Sequence, residues 1–220
     1  MALFRDRVDA GRQLAAHLRH YAGRDDVVVL GLPRGGIPVA YEVARALGAP
    51  LDVYLVRKLG VPGHEELAMG AIGSGGVRVL NREVLAQLGI GQEDVERVAR
   101  RERRELERRE QAYRGGRPAL DLVGKTVILI DDGLATGASM RAAIEALRSE
   151  EPARIVVAVP TASAESCEML EPQVDEVICA ATPAPFFAFG ASYAEFAQTT
   201  DREVTELLAQ AAAARGDDEP

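Results

Sequence analysis

One short run in the middle of the chain changes character three times, and it constrains the fold more than any other segment. Residues 127–130 are four consecutive large aliphatic residues, a pattern typical of a strand buried on both faces of a parallel sheet. Asp131 and Asp132 follow directly, and small or hydroxyl residues then occupy most of positions 133–139. Residues 140–147 are good helix formers with apolar side chains at helical spacing. The run therefore predicts a buried strand, an acidic pair, a small polar loop and a helix.

This order of elements predicts a binding site for a phosphorylated sugar. Backbone N–H groups and the hydroxyls of Thr136 and Ser139 can point at one phosphate, near the positive end of the following helix. The two carboxylates before the loop can accept hydrogen bonds from sugar hydroxyls. The simpler interpretation is an ordinary strand-to-helix turn in which an Asp side chain caps the helix.

The run from Asp131 to Met140 resembles the phosphoribosyl pyrophosphate signature of type I phosphoribosyltransferases, and it is most similar to the adenine phosphoribosyltransferase version. The resemblance implies that Asp131 and Asp132 are catalytic residues that bind the ribose hydroxyls. It also implies that the following loop binds the 5′-phosphate through Ala135, Thr136, Gly137, Ala138 and Ser139. Mg²⁺ is the expected cofactor, held mainly by phosphoribosyl pyrophosphate and water rather than by a protein metal site.

A second loop, rich in Gly and Pro, follows the apolar strand predicted at residues 27–30. Its glycines, Gly35 and Gly36, allow backbone N–H groups to approach a ligand closely. Arg34 adds a positive charge that an ordinary turn does not explain. In type I phosphoribosyltransferases a loop in this place holds the pyrophosphate. The resemblance therefore implies a pyrophosphate-binding loop that begins at Pro33, with Arg34 as a catalytic residue.

A pair of cations, Arg57 and Lys58, follows the strand predicted at residues 51–56. The pair is similar to the Arg-Lys pair that adenine and orotate phosphoribosyltransferases use near the pyrophosphate, which implies pyrophosphate-binding and catalytic roles. The alternative is solvated surface charge. Because ligands bind at the carboxyl ends of parallel strands, we expect the three loops to converge at one edge of the sheet.

Residues 60–76 are dominated by Gly, Pro and small residues, which predicts a mobile loop flanked by short strands at 68–72 and 77–80. The family places its flexible catalytic loop here, where a lid excludes water from the reacting centre. Glu65 and Glu66 are the acids available on such a lid. Each could relay a proton, or be an ordinary exposed acid of a turn.

The most highly charged segment, residues 92–113, interleaves Arg with Glu over a thin apolar stripe and predicts a long, solvated helix. It forms most of a helical insert at 82–117. A nucleic-acid-binding arm is the alternative, but the interleaved Glu side chains would repel phosphates. We therefore expect a packing helix or a subunit contact.

Three Phe residues are concentrated in residues 183–190, where they predict either core packing or a hood that stacks on a base. The run that begins at Phe187 and continues to Tyr193 resembles the hood of hypoxanthine-guanine phosphoribosyltransferases, which implies that Phe187 binds the base. The sequence departs from that type at two places. Ala135 stands where that type has a carboxylate base, and Val159-Pro160 stands where it has a Lys that recognises the purine oxygen.

Apolar runs at 155–159 and 176–179 complete a set of about five strands that alternate with helices. The predicted fold class is α/β, a doubly wound, mostly parallel sheet of about five strands. The resemblance makes it the type I phosphoribosyltransferase fold, with a small hood at 183–200 and the long charged helical insert. We expect residues 1–220 to form a single domain that opens with an amphipathic helix over residues 6–21.

Composition narrows the class of partner. A net charge of −8 argues against a nucleic-acid surface and favours small molecules. Cys167 and Cys179 lack metal-site spacing, so we expect reduced, mostly buried thiols and a cytoplasmic protein. The sequence also predicts neither a membrane span nor a signal peptide. A homo-oligomer is expected.

Two functions from different classes remain open. The first is a magnesium-dependent phosphoribosyltransferase of nucleotide metabolism, which moves ribose 5-phosphate from phosphoribosyl pyrophosphate to a nitrogenous base, with a purine-like base favoured, as in purine salvage. The second is a non-catalytic regulator of the same fold that senses phosphoribosyl pyrophosphate or a nucleotide. Arg34, Arg57 and Lys58 favour the first only weakly, because a binder of monophosphates has little use for a pyrophosphate site.

Overall fold

The computed structural model describes residues 2–186 and 188–216. The helices are α1 (Arg7–His17), α2 (Gly36–Leu47), α3 (Arg82–Gln87), α4 (Gln92–Arg114), α5 (Ala138–Arg148), α6 (Ala164–Leu170) and α7 (Asp201–Ala213). The strands are β1 (Val27–Gly31), β2 (Leu51–Val53), β3 (Val56–Val61), β4 (His64–Gly73), β5 (Arg78–Leu80), β6 (Thr126–Ile130), β7 (Arg154–Thr161) and β8 (Glu176–Ala181). Among these helices, none is both long enough and apolar enough to cross a membrane.

A five-stranded parallel sheet with the strand order β2-β1-β6-β7-β8 forms the centre of the molecule. Helices α2, α5 and α6 connect consecutive strands of this sheet along the chain. The predicted α/β class, with a mostly parallel sheet of about five strands, is confirmed. Every residue of β1 and β6 is buried, which explains why both strands are apolar apart from Thr126. Because all five strands are parallel, their carboxyl ends meet at one edge.

Helices cover both faces of the sheet because side chains alternate along each strand. Leu30 of β1 packs in a cluster with Ile144 of α5 on one face. Val29 lies in a cluster with Leu14 of α1 and Val43 of α2 on the other. Full burial of one such side chain stabilises the fold by about 1.5–3 kcal/mol. These two layers hold the carboxyl edge of the sheet in place.

A second, smaller sheet with the antiparallel order β3-β4-β5 packs beside the first. Its buried side chains, including Leu59 and Ile72, share a cluster with Leu106 of α4 and Val204 of α7. The long charged helix predicted at residues 92–113 is confirmed as α4, whose thin apolar stripe faces this cluster. Helix α4 is thus a packing helix within the chain.

The strand predicted at residues 51–56 is interrupted, so Arg57 and Lys58 do not follow a strand of the parallel sheet. Strand β2 ends at Val53, and the N–H of Leu55 donates to Ser74 Oγ at 2.9 Å as the chain turns away. Arg57 and Lys58 lie within β3 of the small sheet instead. The apolar run did not reveal this break, because Tyr54 and Leu55 between the two strands are themselves buried apolar residues.

The mobile loop expected at residues 60–76 is mostly strand. Strands β3 and β4 form a hairpin around a turn at Pro62-Gly63, where Gly63 has a φ of 78°. The abundant glycine that suggested a loop permits close strand pairing. A Cβ at Gly70 would lie only 2.3 Å from the carbonyl oxygen of Val79.

The expectation of two reduced cysteines is wrong. Cys167 of α6 and Cys179 of β8 form a disulfide, with 6.7 Å between their Cα atoms. A short 3₁₀ turn at Glu171–Gln173 connects α6 to β8, and α6 packs against β8, which places the two residues within bonding range. The cysteines therefore give no support to a cytoplasmic location.

The first and the last helix both have a capping side chain at their amino end. The helix expected over residues 6–21 is shorter, because α1 ends at His17 and only a short 3₁₀ turn follows. Asp6 caps α1 by accepting a hydrogen bond from the N–H of Asp9 at 2.8 Å. At the other end Thr200 caps α7 by accepting one from the N–H of Glu203 at 3.2 Å.

Candidate active site

The loops that follow β1 and β6 are in direct contact at the carboxyl edge of the sheet. The N–H of Leu32 donates to the carbonyl of Ile130 at 2.8 Å. A Cβ at Gly35 would lie 2.0 Å from Oδ2 of Asp132, and one at Gly36 would lie 2.7 Å from the carbonyl oxygen of Ile130. Both glycines are therefore required for this close approach, and the structure brings the predicted pyrophosphate loop against the acidic pair.

Hydrogen bonds from three segments hold the acidic pair, two of them to carboxylate oxygens and one to a backbone carbonyl. Oδ1 of Asp131 accepts the N–H of Asp132 at 2.9 Å. Oδ2 of Asp132 accepts Nε of Arg7 at 2.8 Å, and the Asp132 carbonyl accepts the hydroxyl of Tyr193 at 2.5 Å. The acidic pair thus has a fixed orientation.

The surroundings of the pair favour the protonated form of both carboxyl groups. Burial raises the pKa of Asp131 well above its ordinary value, and the neighbouring charge of Asp132 raises it further. Burial also raises the pKa of Asp132, although Arg7 opposes this rise. A ligand that donates hydroxyl hydrogens to these carboxylates would stabilise their ionised forms.

The predicted phosphate loop leads into α5, which begins at Ala138. Gly137 precedes it in the left-handed conformation, with a φ of 67° that favours glycine. Thr136, Ala138 and Ser139 are exposed, so the start of the helix is open to an anion. Ser166 of α6 supports the loop from behind by donating from Oγ to the carbonyl of Ala135 at 2.9 Å.

The structure separates the three predicted cations. Arg34 lies on the β1 loop directly before Gly35, is 38% exposed, and has its Nη1 atom 3.9 Å from a carboxylate oxygen of Asp201. Arg57 is bound to Glu102 of α4 at 2.5 Å. Lys58 donates to the carbonyl of Glu66 at 3.0 Å on the hairpin. Of the three, only Arg34 belongs to the loop that contacts the acidic pair, and its guanidinium lies toward Asp201.

An aromatic cluster lies over the acidic pair. A Cβ at Gly133 would lie 2.6 Å from Cβ of Phe189, so Phe189 packs directly on the loop after β6. Phe196 contacts Phe189 edge to face at 5.7 Å and Tyr193 at 4.9 Å between ring centroids. Phe187, the predicted base-binding residue, lies outside the residues that the structure describes.

Arg7 is a site residue that the sequence did not reveal. Its guanidinium contacts Asp132 and also lies 4.0 Å from the centre of the Phe196 ring. No local pattern connects a residue of the first helix with an acid in the middle of the chain. Phe196 was missed as well, although it lies just beyond the aromatic run that indicated a hood.

Across residues 2–186 and 188–216, no group of three or more His, Cys, Asp and Glu side chains is arranged to hold a metal ion. Asp131 and Asp132 could offer at most carboxylate oxygens on one side of a hydrated cation. The residues present therefore fit Mg²⁺ only if a ligand supplies further oxygen atoms.

Comparison with known proteins identifies the family. Residues 4–70 and 63–195 match the family model of the phosphoribosyl transferase domain. Two strains of Mycobacterium tuberculosis each have a protein provisionally named a phosphoribosyl transferase, which is 49% identical over 211 residues. That alignment covers 96% of this chain and 47% of the relative, so the chain spans about half the length of these curated relatives.

A solved structure agrees over nearly the whole chain. The crystal structure of the protein TT1426 from Thermus thermophilus superposes with a TM-score of 0.85 at 48% identity, covering 96% of this chain and 99% of that one. The bifunctional protein PyrR of Chloroflexus aurantiacus is 35% identical over 136 residues, which are 57% of this chain and 65% of that protein. The family match covers most of the chain, and the protein belongs to the phosphoribosyl transferase domain family.

Proposed function

We propose that this protein is a phosphoribosyltransferase that moves ribose 5-phosphate from phosphoribosyl pyrophosphate to a nitrogenous base, with a purine-like base favoured, and releases pyrophosphate. The observation that supports this best is the contact of Gly35 and Gly36 with the acidic pair that precedes the phosphate loop. The sugar donor carries a ribose between two phosphate-bearing ends, so it needs adjoining subsites of this kind.

Each subsite has a chemical role in the proposal. Asp131 and Asp132 accept hydrogen bonds from the 2′ and 3′ hydroxyls of the ribose. The loop from Ala135 to Ser139 binds the 5′-phosphate, because its N–H groups and the positive end of α5 favour an anion. The loop from Pro33 to Gly36 binds the pyrophosphate, whose oxygens can approach its backbone where side chains are absent.

Arg34 is the proposed catalytic cation. As the glycosidic carbon loses pyrophosphate, negative charge develops on the leaving group, and a fixed cation stabilises that charge more in the transition state than in the ground state. Arg57 and Lys58 remain candidates for the same role. Each must first release an acid or carbonyl partner within the chain, namely Glu102 for Arg57 and Glu66 for Lys58.

Mg²⁺ is the proposed cofactor. When bound, it would neutralise part of the negative charge of the diphosphate. Asp131 and Asp132 are the acidic residues of the site, and they would orient the ribose through its hydroxyls. The protein side chains bind the donor, exclude water and hold its reacting carbon toward the base.

The acceptor base is proposed to lie under the hood, with Phe187 as the stacking residue. Ala135 and Val159-Pro160 supply neither the carboxylate nor the Lys of the hypoxanthine type, so no side chain at those places distinguishes one purine from another. A screen of bases, from adenine and hypoxanthine to orotate and uracil, would identify the acceptor.

A regulator that binds phosphoribosyl pyrophosphate without turnover is the second candidate function. The ion pair of Arg57 with Glu102 favours this candidate. While Arg57 is paired within the chain, Arg34 must stabilise most of the negative charge that develops on the leaving group. Such a protein would retain the ribose and 5′-phosphate subsites but lack the complete set of cations. Both candidates predict binding of the sugar donor, and turnover separates them.

Pyrophosphate release in the presence of phosphoribosyl pyrophosphate, Mg²⁺ and each base tests the proposal. We expect release with at least one base, and we expect Arg34→Ala to lower kcat about 30-fold to 1000-fold, with a smaller effect on KM. Arg19→Ala, an exposed substitution outside the site, is the control. Tight donor binding without release for any base would favour the regulator instead.

Location and assembly remain part of the proposal. A role in nucleotide metabolism, such as purine salvage, would suit a cytoplasmic protein, where phosphoribosyl pyrophosphate is made and used. We also expect a homo-oligomer, which sedimentation of the purified chain would reveal.

A further inference from the structure

Arg7 makes an unusual set of contacts for a residue in the first turn of a surface helix. Its side chain is only 12% exposed, and Nε donates to Oδ2 of Asp132 at 2.8 Å. Nη1 donates to the carbonyl of Ala197 at 2.6 Å, and the guanidinium lies over the ring of Phe196. A cation at the start of a helix opposes the helix dipole. The helix itself therefore gives no reason for Arg7, and its contacts must supply one.

Two distant segments of the chain, residues 4–7 and the hood segment 192–197, are joined next to the acidic pair. The N–H of Phe4 donates to the carbonyl of Ser192 at 2.9 Å, and the N–H of Ala194 donates to the carbonyl of Phe4 at 2.8 Å. Tyr193, between Ser192 and Ala194 in the sequence, donates from its hydroxyl to the carbonyl of Asp132. The first residues and the hood segment 192–197 therefore form one layer, and Arg7 connects that layer to the carboxylate.

Arg7 also determines the charge balance at Asp131 and Asp132. The groups that face Asp132 are Arg7 from α1, Asp131 from its own loop and Tyr193 from the hood. Within the part of the chain that the structure describes, Arg7 is the only Lys or Arg that forms an ion pair with either carboxylate. One cation thus balances the buried acid Asp132 and the half-buried acid Asp131, and its removal would leave both without a counter-charge.

We propose that Arg7 is a positioning residue of the sugar-donor site, which orients the Asp132 carboxylate toward a ribose hydroxyl and fastens the hood segment 192–197 over the pair. The proposal rests on the proposed function, because it takes the ribose as the ligand of the acids. Arg7 acts through Asp132 and touches no reacting atom. One guanidinium donates in two directions, to the Asp132 carboxylate and to the Ala197 carbonyl. A Lys ammonium cannot reproduce both hydrogen bonds in full.

Calorimetric titration of phosphoribosyl pyrophosphate with Mg²⁺ into the full chain between pH 5.5 and 8.5 tests this role. We expect Arg7→Met to weaken binding at pH 7 on the order of tenfold to a hundredfold. The acid-side loss of affinity should also move up by about one pH unit, because the carboxylates lose their cation and bind protons more tightly.

Two further variants make the test specific. Arg7→Lys keeps the charge, so we expect a pH profile close to that of the unsubstituted protein and an intermediate affinity. Arg5→Ala is the matched control, since Arg5 is two residues away and also pairs with an Asp, but its side chain is 64% exposed and its partner is Asp6. It should bind like the unsubstituted protein at every pH.

The outcomes separate this role from the function on which it rests. If the unsubstituted protein fails to bind phosphoribosyl pyrophosphate, the proposed function is wrong, and the proposed role of Arg7 is wrong with it. If that protein binds and Arg7→Met matches its affinity and pH profile, only the role of Arg7 is wrong. Equal weakening at all pH values, with no shift of the profile, would also overturn it and indicate a purely structural contact. If Arg7→Met does not fold, Arg7→Lys decides, because unchanged affinity in that variant contradicts the need for two diverging bonds.

Discussion

At the scale of single residues, the site depends on how closely two loops can approach each other. The sequence could predict glycine-rich loops at strand ends, since Gly35 and Gly36 directly follow an apolar strand. It could not predict that Gly35 would lie against Asp132, because that contact depends on β1 and β6 being neighbours in the sheet. The requirement for glycine at this position comes from the tertiary structure.

Gly35→Ala should disrupt the site while the fold remains. The added Cβ would lie 2.0 Å from Oδ2 of Asp132, so either the carboxylate or the loop must move. We expect binding of phosphoribosyl pyrophosphate to weaken on the order of tenfold or more, with a stability loss of about 1–3 kcal/mol. Gly91→Ala is the control, because its added Cβ meets no atom within 4 Å and its φ is −72°. Equal affinity in both variants would show that the approach of the two loops is unimportant.

The raised pKa of the Asp131 carboxyl should make the unliganded protein less stable at neutral pH than at pH 4. Its pKa is raised above the ordinary value of 3.8, so the folded protein binds the proton more tightly than the unfolded chain does. The folded state therefore loses stability relative to the unfolded chain as the pH rises above the ordinary pKa of 3.8. This loss disappears as the pH falls toward 4. An uncharged polar residue at position 131 should remove this loss of stability.

Asp131→Asn should accordingly raise Tm at pH 8, on the order of 2–4 °C for each 1 kcal/mol gained, and the gain should shrink as the pH approaches 4. Thermal unfolding followed by circular dichroism at several pH values measures this. Asp25→Asn, at an exposed position, should leave Tm unchanged. A lower Tm for Asp131→Asn at pH 8 would mean that the ionised carboxylate stabilises the fold.

At the scale of elements, the insert helix and the hairpin depend on each other. Helix α4 could be predicted because its charges repeat with helical spacing and need no partner. The hairpin could not, since the break after Val53 depends on the contact between Leu55 and Ser74. Glu102 of α4 joins the two elements by binding Arg57 of β3. Burial opposes ionisation of Glu102, but Arg57 and Arg101 lower the pKa of this carboxyl below its ordinary value.

Arg57→Met should therefore destabilise the packing of α4 on the hairpin. It would leave the buried carboxylate of Glu102 with only the exposed guanidinium of Arg101, at an expected cost of about 1–3 kcal/mol. Arg101→Met removes the other partner of the same carboxylate, which is 69% exposed, and should cost less than about 1 kcal/mol. Urea unfolding of the two variants compares these costs. Equal losses would contradict a dominant role for the Arg57 ion pair.

At the scale of the whole molecule, residues near the start of the chain meet the hood segment 192–197 beside the acidic pair. The sequence could predict the parallel sheet and the order of its loops, because apolar runs alternate with helical segments along the chain. It could not predict that Phe4 and Arg7 would join the hood, since contacts between distant segments leave no periodic signal. The disulfide was missed for the same reason, because its bond requires α6 to pack on β8.

The central claim is that Asp131 and Asp132 form the ribose subsite of a phosphoribosyl pyrophosphate site. Calorimetric titration of phosphoribosyl pyrophosphate with Mg²⁺ into the unsubstituted protein and into the Asp131→Asn, Asp132→Asn double variant tests it most directly. We expect saturable binding to the unsubstituted protein and an affinity on the order of a hundredfold lower in the folded double variant. Equal affinity in the two proteins would contradict the assignment of the ribose to this acidic pair.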